Sequence, residues 1–119
     1  MDDGDLWLLE RQAELCRALG SGKRLQIIYL LRSGEKAAGD LAALLQTTPA
    51  NVSQHLSAMR QVGIVASRRE GSNIIYWLQE PAILEACGMV RRVLGEQLRR
   101  EQVELSLRLH GPGETVGPD

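Results

Sequence analysis

Apolar residues near the start of the chain recur every three or four positions, at Leu6, Leu9, Ala13 and Cys16. That period belongs to one face of a helix and predicts an element over residues 6–19. Gly20-Ser21-Gly22 interrupts it, and Ser21 is placed to cap a second helix over residues 23–32. There Leu25, Ile28, Tyr29 and Leu31 cover a wide arc, which predicts a helix buried on most sides. Ser33-Gly34 ends it. A short third helix follows, with Asp40 near its start and Leu41, Leu44 and Leu45 directed inward.

Next comes Thr47-Thr48-Pro49-Ala50-Asn51, where Thr48 suits a cap and Pro49 the first helical position, whose N–H has no partner anyway. The helix so started carries Val52, Leu56, Met59 and Val62 on one face and Asn51, Ser53, Gln54, Ser57 and Arg60 on the other, until Gly63 closes it. The pattern then changes to short β-rich runs, residues 64–69 and 73–78, joined by Glu70-Gly71-Ser72, a turn with glycine where positive φ is needed. Pro81 opens a long last helix with the stripe Ile83, Cys87, Val90, Leu94 and Leu98. Residues 111–119, with three Gly and two Pro, are expected to be a disordered tail. Without an internal repeat, the order is four helices, a hairpin and a helix. The expected class is mainly α with a small β-hairpin wing, a winged helix-turn-helix in one domain over residues 1–110.

Charge sharpens this picture. The net charge is −1, but residues 1–22 sum to −3, residues 23–79 to +4 and residues 80–119 to −2. The positive surplus sits on the helix-turn-helix and hairpin, where a surface could meet phosphate. The overall balance excludes a basic nucleic-acid arm. With 119 residues, 44% hydrophobic and 24% charged, the composition is that of an ordinary soluble globular domain. No apolar run is long enough to cross a bilayer, and Asp2, Asp3 and Asp5 do not open a secretion signal, so no membrane partner is expected. Two cysteines make no disulfide framework and point to a reducing cytoplasm. Aromatics total 3% with no Phe, which argues against a platform that stacks unpaired bases.

The polar side of the fourth helix fits the major groove of duplex DNA. Gln and Asn can bond adenine bidentately, and Ser a base or a phosphate. Asn51, Ser53 and Gln54 are the candidates for base edges, with Thr47, Thr48, Ser57 and Arg60 beside them. Arg68, Arg69, Ser72 and Asn73 belong to the wing, which would reach the backbone or the minor groove. Strand alternation puts Arg68 and Arg69 on opposite faces, so one of the two is expected to contact DNA. His55, between exposed Gln54 and buried Leu56, reads better as a packed or phosphate-facing histidine than as a metal ligand.

Residues 51–65, Asn51-Val52-Ser53-Gln54-His55-Leu56-Ser57-Ala58-Met59-Arg60-Gln61-Val62-Gly63-Ile64-Val65, closely resemble the ArsR/SmtB family of bacterial repressors. The likeness begins at residues 19–27 and continues through Arg68-Arg69-Glu70-Gly71 and Ile75-Tyr76-Trp77-Leu78, covering about residues 10–100. The resemblance implies a homodimer, formed by the first and last helices, that binds a palindromic double-stranded operator. An inducer, usually a metal ion or a reactive small molecule, releases it. The best-known metal sensors of that family carry a Cys-x-Cys-type motif in the first helix of the helix-turn-helix, where this chain has Ala37-Ala38-Gly39-Asp40-Leu41-Ala42. Other members place Asp and His pairs along the last helix, which here has no His before His110. No metal site and no cofactor are expected.

Cys16 and Cys87 remain, each on the apolar stripe of its helix. One reading makes both small buried hydrophobes. The other makes them a dithiol switch for oxidants, reactive sulfur or arsenic(III). Persulfide-sensing relatives use two cysteines, but their second lies in the second helix, whereas Cys16 lies in the first. Two rival functions are weaker. Gly20-Ser21-Gly22-Lys23 lacks the earlier Gly and the Ser or Thr of a phosphate loop, and no catalytic set accompanies His55 and His110, so no enzyme is expected. A winged-helix module for protein contact or dimerisation alone would need apolar anchors on the exposed face of the fourth helix.

Overall fold

The computed structural model describes residues 1–110, so the tail expected over residues 111–119 lies outside the described residues. The elements are α1 (Asp3–Ala18), α2 (Gly22–Leu31), β1 (Lys36–Ala37), α3 (Ala38–Leu44), α4 (Pro49–Gln61), β2 (Val65–Glu70), β3 (Asn73–Leu78) and α5 (Ala82–His110). By contact the chain divides into two units, Met1–Leu84 and a remainder that begins at Glu85.

Side-chain caps place the helix starts. The α1 helix begins earlier than its apolar stripe because Asp2 and Asp5 form a reciprocal box: Asp5 N donates to Asp2 Oδ1 at 2.8 Å and Asp2 N to Asp5 Oδ2 at 3.2 Å. Ser21 caps α2 by accepting from Arg24 N at 3.4 Å, and Thr48 caps α4 by accepting from Asn51 N at 3.1 Å. Pro49 follows as the first residue of α4, as predicted.

The core of the first unit comes from α1 through Ala18, from α2, α3 and α4, and from the sheet. Ile27, Ile28 and Leu31 of α2 meet Leu41 and Ala42 of α3 and Val52, Leu56 and Met59 of α4, with Ile64, Val65 and Tyr76 closing the layer. On α1 the predicted stripe leaves Leu6 and Leu9 50% and 47% exposed, while Ala18, Leu15 and Leu19 turn to the core. A helix with two apolar stripes has a correct period but two candidate phases, and the tertiary contacts chose the second. The expectation that α2 is buried on most sides is corrected to one side: Leu25 is 44% and Tyr29 51% exposed, the Tyr29 ring centre lying 3.7 Å from the Arg32 guanidinium. On α3, Leu44 is 57% exposed because a helix of two turns shows the core only the face of Leu41, Ala42 and Leu45.

The turn between α3 and α4 carries backbone strain. Gln46 N donates to Ala43 O at 3.2 Å and Thr47 N to Ala42 O at 3.0 Å, the paired bonds of a Schellman ending. The end of α4 repeats them, Gly63 N to Arg60 O at 3.1 Å and Ile64 N to Met59 O at 2.9 Å. The left-handed residue at the second site is Gly63, φ 80°, but at the first it is Gln46, φ 53°. An L side chain there costs about 1–2 kcal/mol, partly offset by the extra chain entropy a glycine loses. Gln46→Gly is therefore expected to stabilise the fold by about 0.5–1 kcal/mol. A thermal melt at fixed protein concentration that shows no rise in Tm would contradict this.

The wing is a three-stranded antiparallel sheet in the order β1-β3-β2. The predicted hairpin is present, in register from Val65↔Leu78 to Glu70↔Asn73, which leaves Gly71 and Ser72 as its loop. Gly71 at φ 63° supplies the positive φ of the first loop position, the pattern of a type II′ turn. Strand β1 went unpredicted because two residues, Lys36 and Ala37, carry no readable period; they are strand only through pairing with Tyr76 and Ile75. Ile83 and Leu84, in the first turn of α5, still pack on the core. From Glu85 onward α5 has no buried residue, and Met89, Val90, Val93, Leu94 and Leu98 are exposed.

Candidate nucleic-acid interface

The buried residues of α4 fix which of its residues face solvent. Val52, Leu56 and Met59 anchor one side completely, so Ser53, Gln54, Ser57 and Arg60 project from the other, all exposed. Asn51, at the start of the helix, is half-buried and its Oδ1 accepts from the Thr47 hydroxyl at 3.2 Å. Thr48 spends its hydroxyl oxygen on the cap. Arg60 reaches β2, its Nη1 donating to Ser67 Oγ at 3.2 Å. Gln54, and Gln61 two turns further on, are the exposed amide side chains of α4 with no hydrogen bond among the described residues; of the two, Gln54 stands near the start of the helix.

The wing separates its two arginines sharply. The Arg68 guanidinium donates to both oxygens of Glu35, 2.7 Å each, and to Glu70 Oε2 at 3.0 Å, and it lies 5.6 Å from the centre of the Trp77 ring. These carboxylates push Arg68 up from its ordinary value, and in return the hydrogen bonds from Arg68 hold the Glu35 carboxyl below the usual carboxylate range. Glu35 lies just before β1, so the bridge ties both edges of the sheet across β3. The side chain of Arg69, next in the strand, has no hydrogen bond or ion pair among the described residues, and with exposed Ser72 and Asn73 it forms the open tip of the wing. A groove of about 710 Å³ runs beside α3, lined by Asp40, Ala43, Leu44, Asn73, Ile75 and Glu35–Ala37.

His55 packs against α2. It is half-buried, and its Nδ1 accepts from Arg24 Nε at 3.1 Å. Among the described residues, no group of three or more His, Cys, Asp or Glu side chains is gathered as a metal would require. Cys16 is an exposed free thiol on α1 and Cys87 a half-buried one on α5. Neither belongs to the buried core of the single chain; both lie on the helices whose apolar faces that core leaves uncovered.

Residues 21–67, from the cap of α2 into the first wing strand, match the family of bacterial regulatory proteins named arsR. The chain is 33% identical over 92 residues to the HTH-type transcriptional regulator Rv0081 of Mycobacterium tuberculosis, covering 76% of this chain and 81% of that one. It is 38% identical over 82 residues to the HTH-type transcriptional regulator CmtR of Mycobacterium bovis, covering 69% and 70%. This chain belongs to the arsR family. The fold agrees: the crystal structure of Rv0081 superposes with a TM-score of 0.71 at 32% identity, over 79% of this chain and 95% of that one. A solution structure of a homodimeric winged helix-turn-helix DNA-binding domain from Mycobacterium bovis gives 0.74 at 31% identity, over 84% and 93%. In this arsR-family regulator, then, α3 and α4 are the helix-turn-helix and β2–β3 the wing. No helix among the described residues is long and apolar enough to cross a membrane.

Two contacts had no signal in the sequence. The bonds Arg24–His55 and Arg68–Glu35 join residues 31 and 33 positions apart, and no local period connects them.

Proposed function

We propose that this arsR-family regulator is a homodimeric repressor that binds a palindromic operator through α4 and the wing and leaves it when an inducer acts on Cys16 and Cys87. The observation that carries the DNA reading is the outer face of α4: exposed Ser53, Gln54 and Ser57 directly opposite three fully buried anchors. Such a face offers hydrogen bonds and no apolar anchor, which suits base edges better than a protein partner. Gln54 is the bidentate reader, Ser53 and Ser57 take bases or phosphates, and Asn51, held by Thr47, presents its amide N–H groups. In the wing Arg69, Ser72 and Asn73 approach the backbone, while Arg68 keeps the wing in shape through Glu35. The exposed apolar residues of α1 and α5, among them Leu6, Trp7, Val90 and Leu94, supply the surface for a second copy.

Two free cysteines, Cys16 exposed and Cys87 half-buried in the single chain, support the thiol reading. Arsenic(III) would bind two thiolates with loss of its oxygen ligands, whereas an oxidant such as polysulfide would take two electrons from the thiol pair and be reduced.

Fluorescence anisotropy on a labelled duplex from the protein's own promoter, with the protein reduced, tests the reading. Specific binding is expected to exceed binding to random DNA by about a thousandfold or more. Arg69→Ala should weaken binding to both duplexes and lower the slope of log affinity against log salt by about one, with no such change in a slope-neutral residue such as Gln26→Ala. Equal affinity for promoter and random DNA would sink the operator reading. Arsenite or polysulfide should release the DNA from the wild type and not from Cys16→Ala or Cys87→Ala. Release that persists in both variants would remove the cysteines from the mechanism.

A further inference from the structure

Arg24, on α2, holds two other helices at once. Its Nη1 donates to the carbonyl oxygen of Ala18 at 3.3 Å, at the end of α1, and its Nε donates to His55 Nδ1 at 3.1 Å, on α4. Ala18 is buried, and Arg24 and His55 are half-buried. A guanidinium offers donors in a rigid plane, so one side chain can fix the separation of two acceptors, which a lysine ammonium on its flexible stem cannot do. The second acceptor is adjacent in sequence to Gln54. The contact also dictates a protonation state: Nδ1 can accept only while it carries no proton, which leaves the ring neutral with its hydrogen on Nε2.

We propose that Arg24 is a positioning residue that braces recognition helix α4 against the end of α1, and that a proton on His55 Nδ1 breaks the brace and weakens operator binding. This rests on the operator reading above. Burial of the ring, then the positive charges of Arg24 and Lys23, hold His55 below its ordinary value of 6.5, so the braced state is the resting state near neutral pH. Arg24 and Lys23, both on α2, are the charged groups that act on the ring; α1 contributes the Ala18 carbonyl through Arg24, and the nearest cation along α4, Arg60, is turned to Ser67. The sign of the effect separates this brace from simple electrostatics. A new positive charge beside a DNA-facing helix would by itself tighten binding to phosphate. Loss of the brace does the reverse.

The test is anisotropy of the full chain on the promoter duplex at about pH 7.5 and about pH 5.5, below the ordinary histidine range. The wild type is expected to lose affinity about threefold to tenfold on acidification, the scale of one hydrogen bond. His55→Asn places a non-titrating acceptor oxygen near the Nδ1 position; it should keep the neutral-pH affinity and lose the pH dependence. Arg24→Lys should bind more weakly than the wild type at neutral pH and approach it in acid, where the brace is already broken. A wild type that binds more tightly in acid, or a pH dependence retained in His55→Asn, would overturn the proposal. A second measurement covers a misfolded Arg24 variant: NMR of the imidazole nitrogens in the wild type, without DNA. An Nε2–H tautomer that titrates below 6.5 and persists until acid supports the brace, and an Nδ1–H tautomer overturns it. Absence of specific DNA binding at both pH values overturns the operator reading itself, a failure this NMR result distinguishes from failure of the brace.

Discussion

Gln54→Ala is expected to weaken binding to the promoter duplex by about 1–3 kcal/mol, roughly tenfold to a hundredfold, while binding to random DNA hardly changes. The prediction follows from which amides are free. Asn51 shares its carbonyl oxygen with Thr47, so its reach for a second base contact is constrained. Gln54 stands one turn further on, exposed and without a partner among the described residues. Its amide can therefore present donor and acceptor together, as adenine requires. Competition anisotropy with specific and random duplexes checks it. An equal loss on both would make Gln54 a backbone contact and shift sequence reading to Ser53 and Ser57.

The largest stability effect is expected at the opposite face of the same helix. Leu56 is completely buried between the helix-turn-helix and the sheet, so Leu56→Ala removes packed methyl groups and leaves a cavity. The cost is about 2–5 kcal/mol, a large fraction of the stability of a domain this size. Leu44→Ala, twelve residues earlier on α3, should cost far less because Leu44 already faces water. Urea unfolding of both variants at one protein concentration gives the comparison. Similar midpoints for the two would mean that Leu44 is covered in the assembled protein. The pair also separates a folding defect from a reading defect: Leu56→Ala should lose specific and random DNA binding together, unlike Gln54→Ala.

Local chemistry was legible because each signal lies within a few residues of what it controls. Ser21, Thr48 and Pro49 mark helix starts through their own backbone neighbours. Gly71 marks the hairpin by a conformation that other residues resist. The α4 pattern was read correctly on both faces because its apolar residues form one stripe only. Where a helix carries two, as α1 does, spacing gives the period without the phase.

The same limit applies to the site. From the sequence alone came the winged helix-turn-helix, the exposed polar side of α4 and the position of the wing. Only the tertiary structure decided that Arg68 is taken by Glu35 while Arg69 is left open, and that Arg24 meets His55. It also placed Cys16 exposed and Cys87 half-buried in the single chain. Strand alternation could say that two adjacent arginines differ, but not which one finds a carboxylate 33 positions away. That choice belongs to the packing that brings β1 alongside β3, because a hydrogen bond depends on separation in space and distance along the chain does not fix it.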